Sequence, residues 1–239
     1  MGNDRRIAVL IDADNAPASK IDVILAEVAR HGAANIRRAC GNWKSPHLQP
    51  WEATLHTYAI RPIQQFSYST GKNASDMAMV IDAMDLLYTQ SIDAFVVVSS
   101  DADFTPRVMR LVTSGSKVYG FGERKTPTPF VNACSTFTYV DGLGPTPPAS
   151  PGTAPAPAVS QKLRGDSRLV LMLRTAVEAA SGEDGWANLA AVGSQVGNQA
   201  SFDARNYGYR KLGDLVQATG LFDTKRHNAQ MHVRDKRKA

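Results

Sequence analysis

Between residues 142 and 160 the chain reads GLGPTPPASPGTAPAPAVS, a stretch that holds six of its thirteen prolines. Proline fixes its own φ and offers no backbone N–H, and the Ala, Gly and Ser around it have little to bury, so no core can be built here. The segment is expected to be a Pro/Ala-rich linker over 142–162, separating a first domain, 1–141, from a second, 163–239. Fully extended as polyproline, it would reach about 60 Å. The flanking domains would then be tethered without having to touch. A chain of 239 residues with 43% hydrophobic content has enough to bury a core in each.

The first domain alternates strand and helix patterns. IAVLI and AFVVVSS are short continuous apolar runs, as expected of strands buried on both faces. NIRRACG, IRPIQQFSY, KVYGFG and TFTYV read as further strands. SKIDVILAEVARHG, LQPWEATLHTY, FTPRVMRLVTSG and TPFVNAC read as helices between them. ASDMAMVIDAMDLLYTQ is the longest helix pattern, with Met77, Val80, Ile81, Met84, Leu87 and Tyr88 expected on one core-facing stripe. This order predicts an α/β fold, a mostly parallel sheet with helices on both faces. The second domain begins with three helix patterns, SRLVLMLRTAVEAAS, WANLAAVGSQVGNQ and NYGYRKLGDLVQATG. Two short strands, LFDTKR and MHVRD, follow, which together make a small winged-helix (α+β) plan.

Ligands of open parallel sheets bind beyond the carboxyl ends of the strands. Asp12 and Asp14 leave the IAVLI strand there, and Asp101 and Asp103 leave AFVVVSS. Asp76 stands near the start of the long helix. Each has a local explanation as a turn or helix-capping residue. Together they form a set of carboxylates that would repel one another unless a cation neutralised them. An all-oxygen set suits Mg²⁺ or Mn²⁺, ions that hold phosphate oxygens and activate water. No P-loop, Ser-His-Asp order or Cys-His zinc spacing competes. None of the five histidines has a partner at ligand spacing.

VLIDADN, GKNASDMAMVIDAMDLL and VVVSSDADFTPRV, in this order over residues 5–141, resemble the NYN family of PIN-like nucleases, the LabA-like or DUF88 group. The resemblance implies a PIN-like fold and a metal-dependent ribonuclease, with Asp12, Asp76, Asp101 and Asp103 as catalytic and metal-holding residues and Asn15 as a site contact. Asp14 falls at the variable position of the motif and is expected either to support the site from behind the ligands or to hold the turn. In the second domain, DGWANLAAVGSQV and FDARNYGYRKLGDLVQATGLFD resemble the OST-HTH or LOTUS module, a winged-helix domain associated with RNA.

The residues around these motifs agree with an RNA substrate. Trp43 and Lys44, after the second strand, and Lys72 and Asn73, ahead of Asp76, are candidates for base stacking and phosphate contact, with Ser99 beside the acidic loop. Arg205, Tyr209, Arg210 and Lys211 interleave cations and aromatics in the second domain. From residue 161 onward 13 Lys or Arg stand against 8 Asp or Glu, while residues 1–160 hold 14 of each, so the whole net charge of +5 lies in the last third. That favours a polyanionic partner. The winged-helix module also offers a surface to a protein partner or a second copy. Cys40 and Cys134 are too few for a disulfide framework and are expected as buried thiols in a reducing cytoplasm. No signal or membrane-spanning pattern is visible. The expected activity is hydrolysis of RNA phosphodiester bonds by metal-activated water. The alternatives are a non-catalytic RNA-binding scaffold and a haloacid-dehalogenase-type phosphatase, which also begins with a strand and Asp-x-Asp.

Overall fold

The computed structural model describes residues 5–64, 74–143, 157–199, 201–228 and 230–238, and the chain divides into two compact units, Met1–Gly144 and Pro145–Ala239. No helix among the described residues is long and apolar enough to cross a membrane.

The first unit runs β1 (Arg6–Asp12), α1 (Ile21–Val28), β2 (Ala33–Gly41), α2 (Trp51–Thr57), β3 (Arg61–Gln64), α3 (Ala74–Thr89), β4 (Ala94–Val98), α4 (Thr105–Thr113), β5 (Lys117–Gly122), α5 (Thr128–Ala133) and β6 (Thr136–Tyr139). All five strand pairings are parallel, and the order across the sheet is β3-β2-β1-β4-β5-β6. The expected α/β sheet with helices on both faces is therefore present. Strand alternation explains the unbroken apolar runs. Ile7, Val9 and Ile11 face one core with Ile21, Ile24 and Val28 of α1 and Trp51 of α2. Ala8 and Leu10 face the other core, with Met79 of α3, Val108 of α4 and Phe130 of α5. The central strands β1 and β4 are apolar on both sides because each side is covered.

The long helix α3 forms where its pattern placed it, but with its inward face rotated. Met79, Ala83 and Leu86 are buried, Met84 and Leu87 of the expected stripe are half-buried against the same core, and Ile81 and Tyr88 are exposed. The segment carries apolar residues around most of its circumference, so spacing alone does not choose the face. Tyr88 accepts a hydrogen bond from Arg110 of α4 at the surface, a use of its hydroxyl that a core position would deny it.

The second unit comprises α6 (Pro157–Gly165), α7 (Ser167–Ala180), β7 (Ala187–Asn188), α8 (Leu189–Gln199), α9 (Leu212–Thr219), β8 (Phe222–His227) and β9 (Gln230–Asp235). Its sheet is antiparallel in the order β7-β9-β8. This is winged-helix-like, with three departures from the expected elements. Helix α6 begins inside the stretch expected to be linker. Leu163 is buried, the Ser160 hydroxyl donates to Ala218 O at 2.8 Å, and Arg164 Nε donates to Thr219 O at 2.7 Å, so the helix is held against the end of α9. Ala187 and Asn188 are taken from the expected second helix to form β7. The expected third helix is broken at Gly208, whose φ of +86° suits glycine, and α9 starts only at Leu212.

Candidate active site

The strand order reverses between β1 and β4, leaving a crevice at their carboxyl ends. Asp12, the last residue of β1, is 2% exposed, and Ser99, the first residue past β4, is 1% exposed. The Ser99 hydroxyl donates to Asp12 Oδ2 at 2.7 Å, and Asn15 Nδ2 donates to the same oxygen at 2.9 Å. Ser99 Oγ in turn accepts from the Asp101 N–H at 3.1 Å, and Asp101 Oδ1 accepts from the Asp103 N–H at 3.0 Å. A continuous hydrogen-bonded chain thus runs from Asn15 through Asp12 and Ser99 to the Asp101–Asp103 loop. Asp101 caps the short 3-10 turn Ala102–Phe104 that leads into α4. Its capping role and its place beside Asp12 are one geometry.

Strand alternation turns Asp12 to the same side of the sheet as Ala8 and Leu10, the side covered by α3. Helix α3 follows β3 and precedes β4 in a parallel sheet, so its first turn, which includes Asp76, lies at the carboxyl edge. The side chain of Asp76, and Lys72 and Asn73 altogether, fall outside the described residues. On the shoulder of the crevice Arg38 of β2 pairs with Asp82 of α3. Asp82 is thereby a partner in an ion pair. Asp14 lies on the other side of the turn, with Oδ1 3.5 Å from His47 Nε2.

The donor set at the crevice is all oxygen: the carboxylates of Asp12, Asp101 and Asp103 and the amide of Asn15. Cys40, opposite Asp12 in register, is pushed up to about 12 by burial and, next, by the Asp12 charge, so its thiol stays protonated. The residues present fit a hard divalent cation in kind. As they stand, Asp12 Oδ2 is turned to Ser99 and Asn15, and Asp101 Oδ1 to its own loop. Among the described residues no three His, Cys, Asp or Glu side chains close on one point that could hold an ion.

Trp43 sits beside a groove of about 480 Å³, also lined by Lys44, Pro46, Gln49 and Leu55, at the carboxyl end of β2. Its indole is less free than expected. Nε1 donates to Ile63 O at 3.0 Å and the ring packs on the first core, so only part of it borders the groove. Arg107 was not singled out in the sequence. It stands in the first turns of α4, its guanidinium 5.0 Å from the centre of the Phe104 ring, and its Nη1 is buried with no hydrogen-bond partner among the described residues. Its signal was position only, one helical turn beyond Asp103.

Of the second-domain candidates, Arg210 and Lys211 are exposed in the loop before α9 and not on a helix. Arg205 is engaged by Asp203 through Nε and Nη2, at 2.9 and 2.6 Å. Tyr209 packs against the core of its domain, and burial pushes its hydroxyl above the usual tyrosine range.

The NYN domain family model matches residues 6–141, and the OST-HTH/LOTUS domain model matches residues 164–233. No curated protein matches the chain. Among solved structures, a protein of unknown function from Vibrio parahaemolyticus is similar at 18% identity, covering 59% of this chain and 96% of that one with a TM-score of 0.49. An uncharacterised protein from Nitrosomonas europaea is similar at 32% identity over 39% of this chain and 87% of its own, with a TM-score of 0.26.

Proposed function

We propose, from the premise that this chain belongs to the NYN family of PIN-like nucleases, that it is a metal-dependent ribonuclease whose second domain helps to hold the RNA. The observation that carries the reading is the hydrogen-bonded chain from buried Asp12 through Ser99 to Asp101 at the switch point of the sheet. Asp12, Asp76, Asp101 and Asp103 would hold Mg²⁺ or Mn²⁺. Such an ion, when bound, neutralises phosphate charge and makes water a nucleophile at neutral pH. Ser99 and Asn15 fix the Asp12 carboxylate from one side, so it is oriented before substrate arrives. Arg107 supplies a cation beside the acidic loop for a phosphate oxygen. Lys44 and the groove at Trp43 receive the strand next to the scissile bond.

This reading sets aside the haloacid-dehalogenase alternative, because the NYN domain model matches residues 6–141. The test is cleavage of labelled single-stranded RNA with Mn²⁺ or Mg²⁺ by the wild type and by Asp101→Asn. Cleavage by the wild type alone is expected. Equal cleavage by both, or none by either across varied sequences, would overturn the proposal.

A further inference from the structure

We propose that the outward face of the three-stranded sheet in the second domain is a platform for single-stranded RNA, centred on Trp186. The register builds it. Ala187 pairs with Val233 and Asn188 with His232, so Trp186 falls opposite Arg234, and it shares one face with Asn188, His232 and Arg234. Lys225 pairs with His232 and Asp223 with Arg234, which extends that face onto β8. The other face, with Ala187, Phe222 and Val233, is the one buried in the domain core. A tryptophan on the outward face contributes nothing to that core.

What surrounds the indole is chemistry for a nucleotide. Lys225 Nζ lies 4.0 Å from a Trp186 ring centre and Arg234 Cζ 4.8 Å. His227 and His232 stand edge to face at 6.2 Å. Trp186, Asn188, Lys225 and both histidines line an open groove of about 470 Å³. Two acids share the face. Asp184 accepts from the Trp186 N–H, and Asp223 lies 3.4 Å from Arg234 Nη2. Arg234 Nε and His232 Nδ1 are buried yet have no hydrogen-bond partner among the described residues, so polar capacity is left over in this face. An exposed lysine resting on an indole is readily drawn away by a phosphate, which leaves the ring face to a base. Unstacked bases with a phosphate between them match this alternation of rings and cations, whereas a duplex hides its base faces.

The inference rests on RNA being the ligand, and its test is binding without cleavage. The full-length protein in EDTA is titrated against a fluorescein-labelled single-stranded oligoribonucleotide, with anisotropy as the readout. Trp186→Ala is expected to weaken binding roughly ten-fold or more, and Trp186→Phe to restore most of it. Lys225→Gln is expected to reduce the slope of log affinity against log salt by about 0.7, one phosphate contact. The same sequence as a duplex should bind more weakly and be indifferent to Trp186→Ala. Wild-type affinity and salt slope in both Trp186→Ala and Lys225→Gln, or a duplex bound as tightly as the single strand, would overturn the platform. Should Trp186→Ala unfold the domain, the exposed Lys225→Gln decides alone. Cleavage is read separately with Mg²⁺. Its loss with binding intact would sink the nuclease reading and leave the platform standing, and the converse result would do the reverse.

Discussion

From Ile7 to Ile11, β1 carries nothing polar, and its first buried carboxylate is its last residue, Asp12. Strand β9 instead turns a polar side chain outward at every other position, Gln230, His232 and Arg234, while Val233 goes to the core. The difference follows from coverage. Helices on both faces of β1 and β4 leave polar groups the edge where those strands stop, so the candidate groups there are few and linked by hydrogen bonds, from buried Asp12 and Ser99 to exposed Asp103. Helices on one face of the second sheet leave the other open, so its groups are spread out, rich in Lys, Arg and His, and exposed or half-buried. An edge of the first kind suits one reacting phosphate. A face of the second kind suits a length of strand.

The largest effect that would sharpen this contrast is at Asp12. Asp12→Asn is expected to lower RNA cleavage by about 10²-fold or more, given several kcal/mol of charge stabilisation at such a site, and to leave RNA affinity in EDTA unchanged. If affinity fell in parallel, the two roles would not be separate. Ser99→Ala removes the hydroxyl donor to Asp12 and is expected to cost roughly 10- to 100-fold in cleavage rate, the range for groups that orient a metal-holding residue. Single-turnover kinetics checks it.

Gly122→Ala comes next. A Cβ there would stand 2.5 Å from Ser99 O and 2.6 Å from Thr126 Oγ1. Such overpacking is expected to destabilise the first domain by about 1–3 kcal/mol. Calorimetry should show its transition lowered and that of the second domain unmoved. A shift of both would mean that the domains unfold as one.

The smallest effect is on pH. Burial pushes Asp235 up, but Arg237, bonded to it through side chain and backbone, and Arg174 together hold it below its ordinary 3.8. A depressed carboxylate contributes stability that is present above its unfolded value and is lost as pH falls through the lower folded value. The second domain should therefore lose stability below about pH 4, and Asp235→Asn should flatten that loss.

Much of this was legible in the sequence for the reason that made β1 and β4 unmistakable: a strand buried on both faces has no freedom in its pattern. The position of Asp12, Asp101 and Asp103 at the carboxyl edge was legible because strand ends are points, fixed by where the apolar run stops. The inward face of α3 was legible only in part, at Met84 and Leu87, since apolar residues surround most of that helix. The capture of the Trp43 indole N–H by the Ile63 carbonyl was not legible, because it depends on β3 lying beside β2. The break at Gly208 was overridden by the apolar spacing of its neighbours. The Trp186 face depends on a two-residue strand pairing with residues more than forty positions away. Local periodicity carries no trace of that partnership.

The hydrogen bond from Ser99 to Asp12 spans 87 positions of the chain. Synthesis delivers Asp12 first, then β2 and β3 on one flank, and only much later β4 on the other. A growing chain that ends before β4 carries the first carboxylate with no hydroxyl to hold it and no acidic loop beside it. The proposed cutting centre would therefore come together only after β4 has docked beside β1, and a fragment that ends before β4 would carry Asp12 without the full set of groups that fix it.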